Sequence, residues 1–218
     1  MSTPKFSPVS ARSTVRRRPQ RASYDPEQVF AILDAALVAH VGFVHDGQPF
    51  VIPMVYARVE RELLLHGSSA SRMLELGAGG AAMSACVTII DGLVYARSAY
   101  HHSMNYRSVV VLGRARDVAS DAEKRLFLDA LVERAAPGRS RQIRPPTDKE
   151  LDATRVIALP IEEASAKIRT GGPIDDDEDM AVPVWTGQLP VALRAMSHIP
   201  TPDAAPRFDL PARPRGID

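Results

Sequence analysis

The side chains with the most obvious chemical capacity fall in two short stretches. The first is His66-Gly67-Ser68-Ser69-Ala70-Ser71-Arg72, which lies between the apolar run Leu63-Leu64-Leu65 and a segment of helical character, 71–76. A glycine-serine turn entering a helix offers backbone amides, three hydroxyls and a guanidinium together, which is the equipment for holding a phosphate. The same residues also make an ordinary serine-capped loop with a surface arginine. The second stretch carries His101, His102, Ser103, Asn105, Tyr106, Arg107 and Ser108 between two runs rich in β-branched residues. An amide, a flat ring with a hydroxyl and a two-pronged cation at 105–107 could recognise the edge and face of a heteroaromatic ligand, or pin a loop by their own hydrogen bonds. Trp185, flanked by Pro183 and Gly187, either caps an aromatic ligand or plugs the end of a barrel. Lys167 and Arg169 share one face of a strand-like segment, as solvated charges or as phosphate contacts.

Other chemistries have little to stand on. His101 and His102 are adjacent, so their side chains diverge, and no Asp, Glu or Cys nearby completes a ligand set; no metal site is expected. There is no G-x-S-x-G, and no serine is paired with a base. The 77–82 segment GAGGAA copies a dinucleotide-binding pattern, but with the helix before it and the strand after it, which removes the physical basis of that motif. The single cysteine, Cys86, excludes an internal disulfide and a cysteine-based cluster. A net charge of +1 over 218 residues gives no global field that calls for nucleic acid or membrane. No apolar run approaches the roughly 20 residues of a membrane span, and the Arg-rich start lacks the apolar core of a secretory signal. A cytoplasmic protein is the expectation. The acidic block Asp175-Asp176-Asp177-Glu178-Asp179 reads as a solvated loop, or as a weak dock for the basic N-terminal arm.

The elements that must position these groups are mostly strands. After an extended basic arm, 1–23, Asp25-Pro26-Glu27-Gln28 supplies an N-cap, a proline for the first turn and a capping-box partner, predicting a helix to about His40. Asp46-Gly47 then closes a hairpin between strands at 41–45 and 50–59. Glu60-Arg61 reverses the chain again, and a short helix ends at Gly77. Strands centred on 86–90 and 108–112 follow. Capping boxes at Ser120–Glu123 and Thr147–Glu150 open two more helices, and strands at 155–159 and 161–169 end the regular part. Successive hairpins without steady βαβ alternation predict a mainly β, antiparallel barrel with flanking helices. One domain, 24–190, would sit between the basic arm and a Pro-rich C-terminal arm, 191–218.

Taken in order, DGQPFVIP, LLLHGSSASRML, ACVTIIDGLVYARSAYHHSMNYRSVVVLGRA, PIEEASAKIRTGGPIDDDED and PVWTGQLP resemble the pyridoxamine 5'-phosphate oxidase-related flavin-binding proteins, in the branch that contains the 5-nitroimidazole resistance reductases. The resemblance implies an FMN-binding split β-barrel, a homodimer with FMN at both sites along the subunit interface. It assigns His66, Gly67, Ser68, Ser71 and Arg72 to the ribityl phosphate, and Ile52, Pro53 and Met54 to the strand lying against the isoalloxazine. Asn105, Tyr106, Arg107 and Ser108 match the second flavin-contacting strand, and Trp185 would come from the partner subunit. The C-terminal PRFDLPARPRGID does not align with the arginine and histidine pattern by which vitamin-oxidising members hold their substrate. The implied reaction is reduction of a small, nitroaromatic-type acceptor with electrons from a nicotinamide donor. Tyr106 and His102 are proton-donor candidates by chemical type alone. Two alternatives remain: a deazaflavin whose longer anionic tail uses Arg16 to Arg21, and a non-catalytic flavin or haem carrier or sensor.

Overall fold

The computed structural model describes residues 10–202 and 212–214. The chain enters through β1 (Ala22–Ser23) and α1 (Pro26–Ala35), whose first turn carries Pro26 and whose N-cap Asp25 accepts a hydrogen bond from the Glu27 amide at 3.2 Å. Val29, Ile32 and Leu33 are buried on one face of α1. The helix stops well before His40 because its last carbonyls are taken by distant donors. The Tyr56 hydroxyl donates to the carbonyls of Leu33 and Ala36, and the Arg134 guanidinium donates to those of Leu33, Asp34 and Ala36. With its end satisfied from outside, the helix gains nothing by continuing.

β2 (Val38–His45) and β3 (Gln48–Val55) form the expected hairpin, with Asp46 and Gly47 both at positive φ, 51° and 75°. The strand expected at 50–59 is two strands. The chain breaks at the fully buried Tyr56, and β4 (Ala57–Val59) joins a different sheet. After a turn at Glu60 come β5 (Glu62–Ser68) and α2 (Arg72–Ala78). Gly77 lies inside α2, where an added Cβ would stand 2.4 Å from Ile157 Cδ1. Close packing against a strand, rather than helix termination, is what that glycine provides.

β6 (Ala82–Tyr95) and β7 (Ser103–Arg114) form a long hairpin with a bulge between Ile90 and Gly92, so the polar residues 103–108 stand on a strand rather than in a loop. β8 (Arg116–Asp117) and α3 (Asp121–Ala135) follow. Ser120 makes no capping bond at the start of α3, whereas Thr147 and Glu150 cap α4 (Asp148–Ala153) reciprocally. β9 (Thr154–Pro160), β10 (Glu163–Arg169) and a strand the periodicity did not show, β11 (Gly187–Pro190), complete the fold.

The strands form two sheets, ordered β1-β10-β7-β6-β2-β3 and β4-β5-β9-β8, with β11 paired to the far part of β6. Every described pairing is antiparallel. The main core, including Val41, Leu63, Leu65, Val109, Ile157 and Leu159, draws on both sheets and on α1 and α2, and a second cluster lies where Phe127 and Leu131 of α3 meet Leu64, Val156 and Ala158. This is the mainly β, antiparallel split barrel that the sequence predicts. The described part of the N-terminal arm is anchored: Ser10 and Arg12 bond Glu163, with Arg12 Nη2 at 2.8 Å, and β1 pairs with β10. Residues 191–202 carry no regular structure, and the remainder of the expected C-terminal arm lies largely outside the described residues.

Candidate functional site

The corner where β5 turns into α2 has a strand neighbour on one edge only. β4 pairs with β5 only as far as Ala57 opposite Leu64, while β9 continues to Thr154 opposite Ser68, so residues 65–68 have a strand neighbour on one edge only. The turn is held by its own backbone: the Ser71 amide donates to the Ser68 carbonyl at 2.9 Å, and the Ser69 amide to the Ala153 carbonyl at 2.9 Å. The Ser68 hydroxyl accepts from the Ala70 amide at 3.2 Å and so belongs to the turn itself. Ser71 occupies the N-cap position of α2 without using its side chain for the cap. The Arg72 guanidinium lies 4.6 Å over the Phe50 ring, which orients it without neutralising it, and among the described residues it has no carboxylate partner. His66, on the same strand, has a buried Nδ1 with no hydrogen-bond partner among the described residues, and burial lowers its pKa. Phe50 was not singled out by the sequence, and nothing in its local pattern distinguishes it from a core aromatic.

Facing this region is the edge strand β3. Val51 and Val55 are exposed, with Val38 and Val44 of β2 beside them, and Ile52 is 37% exposed. Pro49 and Pro53 remove amide donors from this edge, which discourages a further strand from adding there while leaving an apolar surface.

The polar residues of β7 stand in a different environment. Asn105 is buried; its amide donates to Gln188 Oε1 at 2.7 Å and its oxygen accepts from Arg169 Nη1. Arg169, expected as a solvated charge or a phosphate contact, is only 6% exposed and also donates to the carbonyls of Gly171 and Gly172. Arg107 makes a two-pronged pair with Asp91 at 2.9 and 2.7 Å, and the Ser108 hydroxyl donates to the Lys167 carbonyl at 3.3 Å. The Tyr106 hydroxyl makes no hydrogen bond among the described residues, and the residue lies opposite Ile90 and Arg169.

Trp185 is 70% exposed, its ring 5.8 Å from that of Tyr95 and folded over Gly187, where an added Cβ would stand 2.8 Å from the indole. His102 Nδ1 lies 2.8 Å from the Ser98 carbonyl and donates to it, since a carbonyl only accepts. The acidic block is not simply solvated, and among the described residues no ion pair joins it to the basic arm. The Asp175 side chain is 3% exposed and accepts from the Arg97 amide and guanidinium, both at 2.8 Å; those bonds hold its carboxyl below the usual aspartate range. Asp176 accepts from His101 at 3.0 Å, and with Asp179 it supplies the carboxylates that the sequence neighbourhood of His101 lacks.

Residues 25–168 match the family model described as pyridoxamine 5'-phosphate oxidase. This chain belongs to the pyridoxamine 5'-phosphate oxidase family. Among solved structures, this family member is similar to the flavocytochrome Anf3 from Azotobacter vinelandii, with 41% identity, 93% of this chain and 94% of that chain covered, and a TM-score of 0.87. It is also similar to an FAD and heme binding protein from Mycobacterium smegmatis, at 38% identity, 88% and 94% coverage and a TM-score of 0.83. A candidate 5-nitroimidazole antibiotic resistance protein from Bacteroides thetaiotaomicron shares the fold at 21% identity, 67% and 86% coverage and a TM-score of 0.52. No curated protein matches this family member. None of its described helices is long and apolar enough to cross a membrane.

Proposed function

We propose that this protein is a flavin-dependent redox protein that grips the phosphate end of its flavin at the β5–α2 corner. One observation carries the reading: the Ser71 hydroxyl and the Arg72 guanidinium are positioned by the fold yet lack polar partners among the described residues, which is what an anion site looks like before its anion. The flavin, when bound, supplies one- and two-electron chemistry. Arg72 and Ser71 bind its phosphate, and Phe50 fixes the plane of the guanidinium. The strand at Ile52, Pro53 and Met54 offers an apolar wall that keeps water from the ring. The exposed valines of β2 and β3 seat a second copy of the chain, as a homodimer with shared sites requires. A nicotinamide donor and a small acceptor remain the proposed reactants, with Tyr106 and His102 the side chains available to hold a proton.

FAD is proposed in preference to the FMN that the sequence resemblance implies, and haem as a second group beside it. The support is similarity over most of the chain to an FAD and heme binding protein and to a flavocytochrome. The test is purification followed by release and chromatography of the bound cofactors, with anaerobic addition of NADH or NADPH. FAD in the released fraction, bleached by the nicotinamide before release, is the expected result. A protein that carries no flavin and takes up neither FAD nor FMN on titration overturns the reading.

A further inference from the structure

We propose that His101, Asp176 and Asp179 form a site for one divalent transition-metal ion, which fastens the link between β6 and β7 to the acidic loop that precedes β11. The site is built from other elements than the β5–α2 corner and does not depend on the flavin.

A chelating set must bring unlike donors to one point and hold them there. His101 stands in the link between β6 and β7, where its amide donates to the Ser98 carbonyl at 3.2 Å. Asp176 lies 75 residues further along the chain, and its carboxylate meets His101 Nε2 at 3.0 Å. Asp176 is also the N-cap of a single 3₁₀ turn, Asp177–Asp179, in which the Asp179 amide donates to the Asp176 carbonyl at 3.0 Å. Side chains three apart eclipse in such a turn, so the Asp176 and Asp179 carboxylates share a side that Asp177 and Glu178 do not. The ligating atoms of His101, Asp176 and Asp179 all lie within 4.8 Å of one another. Donors around one zinc ion stand about 3–3.5 Å apart, so small side-chain rotations complete the set. The loop is fixed beside the triad by Asp175, whose buried carboxylate is bonded to Arg97.

Charge and donor type narrow the ion. Among the described residues no lysine or arginine pairs with Asp176, Asp177, Glu178 or Asp179, and His101 is the one side-chain partner they have. A dication at the triad supplies the positive charge that this turn lacks. The imidazole separates the site from an ordinary acidic patch, because Mg²⁺ and Ca²⁺ take oxygen donors whereas imidazole suits zinc and its neighbours. The His101 side chain is 19% exposed and that of Asp176 74% exposed, so the nitrogen is held on the protein side and an ion enters from solvent. Water fills the positions that the three side chains leave.

The experiment titrates the untagged, chelator-treated full chain with Zn²⁺ and with Mg²⁺ by calorimetry. The variants His101→Ala and Asp179→Asn and the control Glu178→Gln are treated alike, with circular dichroism to check folding. Wild type should take up about one Zn²⁺ per chain and no Mg²⁺ at the same concentration. His101→Ala and Asp179→Asn should each weaken Zn²⁺ about tenfold or more, and Glu178→Gln less than about twofold. No saturable uptake of Zn²⁺, Mg²⁺ bound as tightly as Zn²⁺, or wild-type affinity in folded His101→Ala would overturn the assignment. Equal losses in all three variants would overturn it as well, since they would mark diffuse attraction to the acidic turn. Should His101→Ala fail to fold, Asp179→Asn decides: undiminished Zn²⁺ affinity there removes the site.

Discussion

Along β7, the polar side chains at 105, 107 and 108 are bonded within the chain: Asn105 to Gln188 and Arg169, Arg107 to Asp91, Ser108 to the Lys167 carbonyl. At the β5–α2 corner, by contrast, His66 Nδ1 and the Arg72 guanidinium have no polar partner in the described residues, and the Ser71 hydroxyl makes no cap bond. Both regions were assigned to the flavin by the same kind of residue. Their difference separates polar groups that hold the fold from polar groups held by it. The first kind fastens β11 and the glycine loop after β10 onto the barrel; the second kind stands on a finished scaffold, where the proposed flavin would supply the missing partner.

The comparison can be broken most forcefully at Arg169. Arg169→Ala removes a buried guanidinium from Asn105 and two loop carbonyls, and should lower the unfolding free energy in urea by about 3 kcal/mol. Tyr56→Phe tests the other internal network, the cap on α1. It should cost about 1.5 kcal/mol in the same measurement, since Arg134 still serves the carbonyls of Leu33 and Ala36. Ser71→Ala should behave in the opposite sense. With no capping bond to lose, apo stability should stay within about 0.5 kcal/mol, while FAD binding followed by fluorescence should weaken about fivefold. The smallest effect concerns acid. The Asp175 pKa is held below 3.8, so its stabilising contribution is complete above that value and fades as pH falls through the lowered one. Asp175→Asn should therefore flatten the pH dependence of stability below about pH 4 and leave no slope difference near neutrality.

How much of this the sequence discloses depends on how local the deciding interaction is. The Asp46-Gly47 hairpin and the Thr147–Glu150 capping box are settled by neighbouring residues, and both read correctly. The end of α1 is decided by Tyr56 and Arg134, about 20 and 100 residues away, and no periodicity within the helix reports them. The break that splits 50–59 into β3 and β4 follows from burying Tyr56 between sheets, which alternation alone does not reveal. β11 is a four-residue segment with a proline, and it is a strand because β6 beyond its bulge offers an edge. At the site, the serine, arginine and histidine types were legible in one motif. Their lack of partners was not, since that is a property of everything around them. Asp91 and Gln188, which engage Arg107 and Asn105, stand in unrelated segments and carried no signal of their own.

The central claim, that Arg72 meets a flavin phosphate, is tested most directly by titrating apo wild type and Arg72→Ala with FAD, FMN and riboflavin. Losing a charge-assisted bond worth about 2 kcal/mol should weaken both phosphorylated flavins about thirtyfold and riboflavin less than about threefold. Equal losses for all three ligands, or none for any, would contradict it.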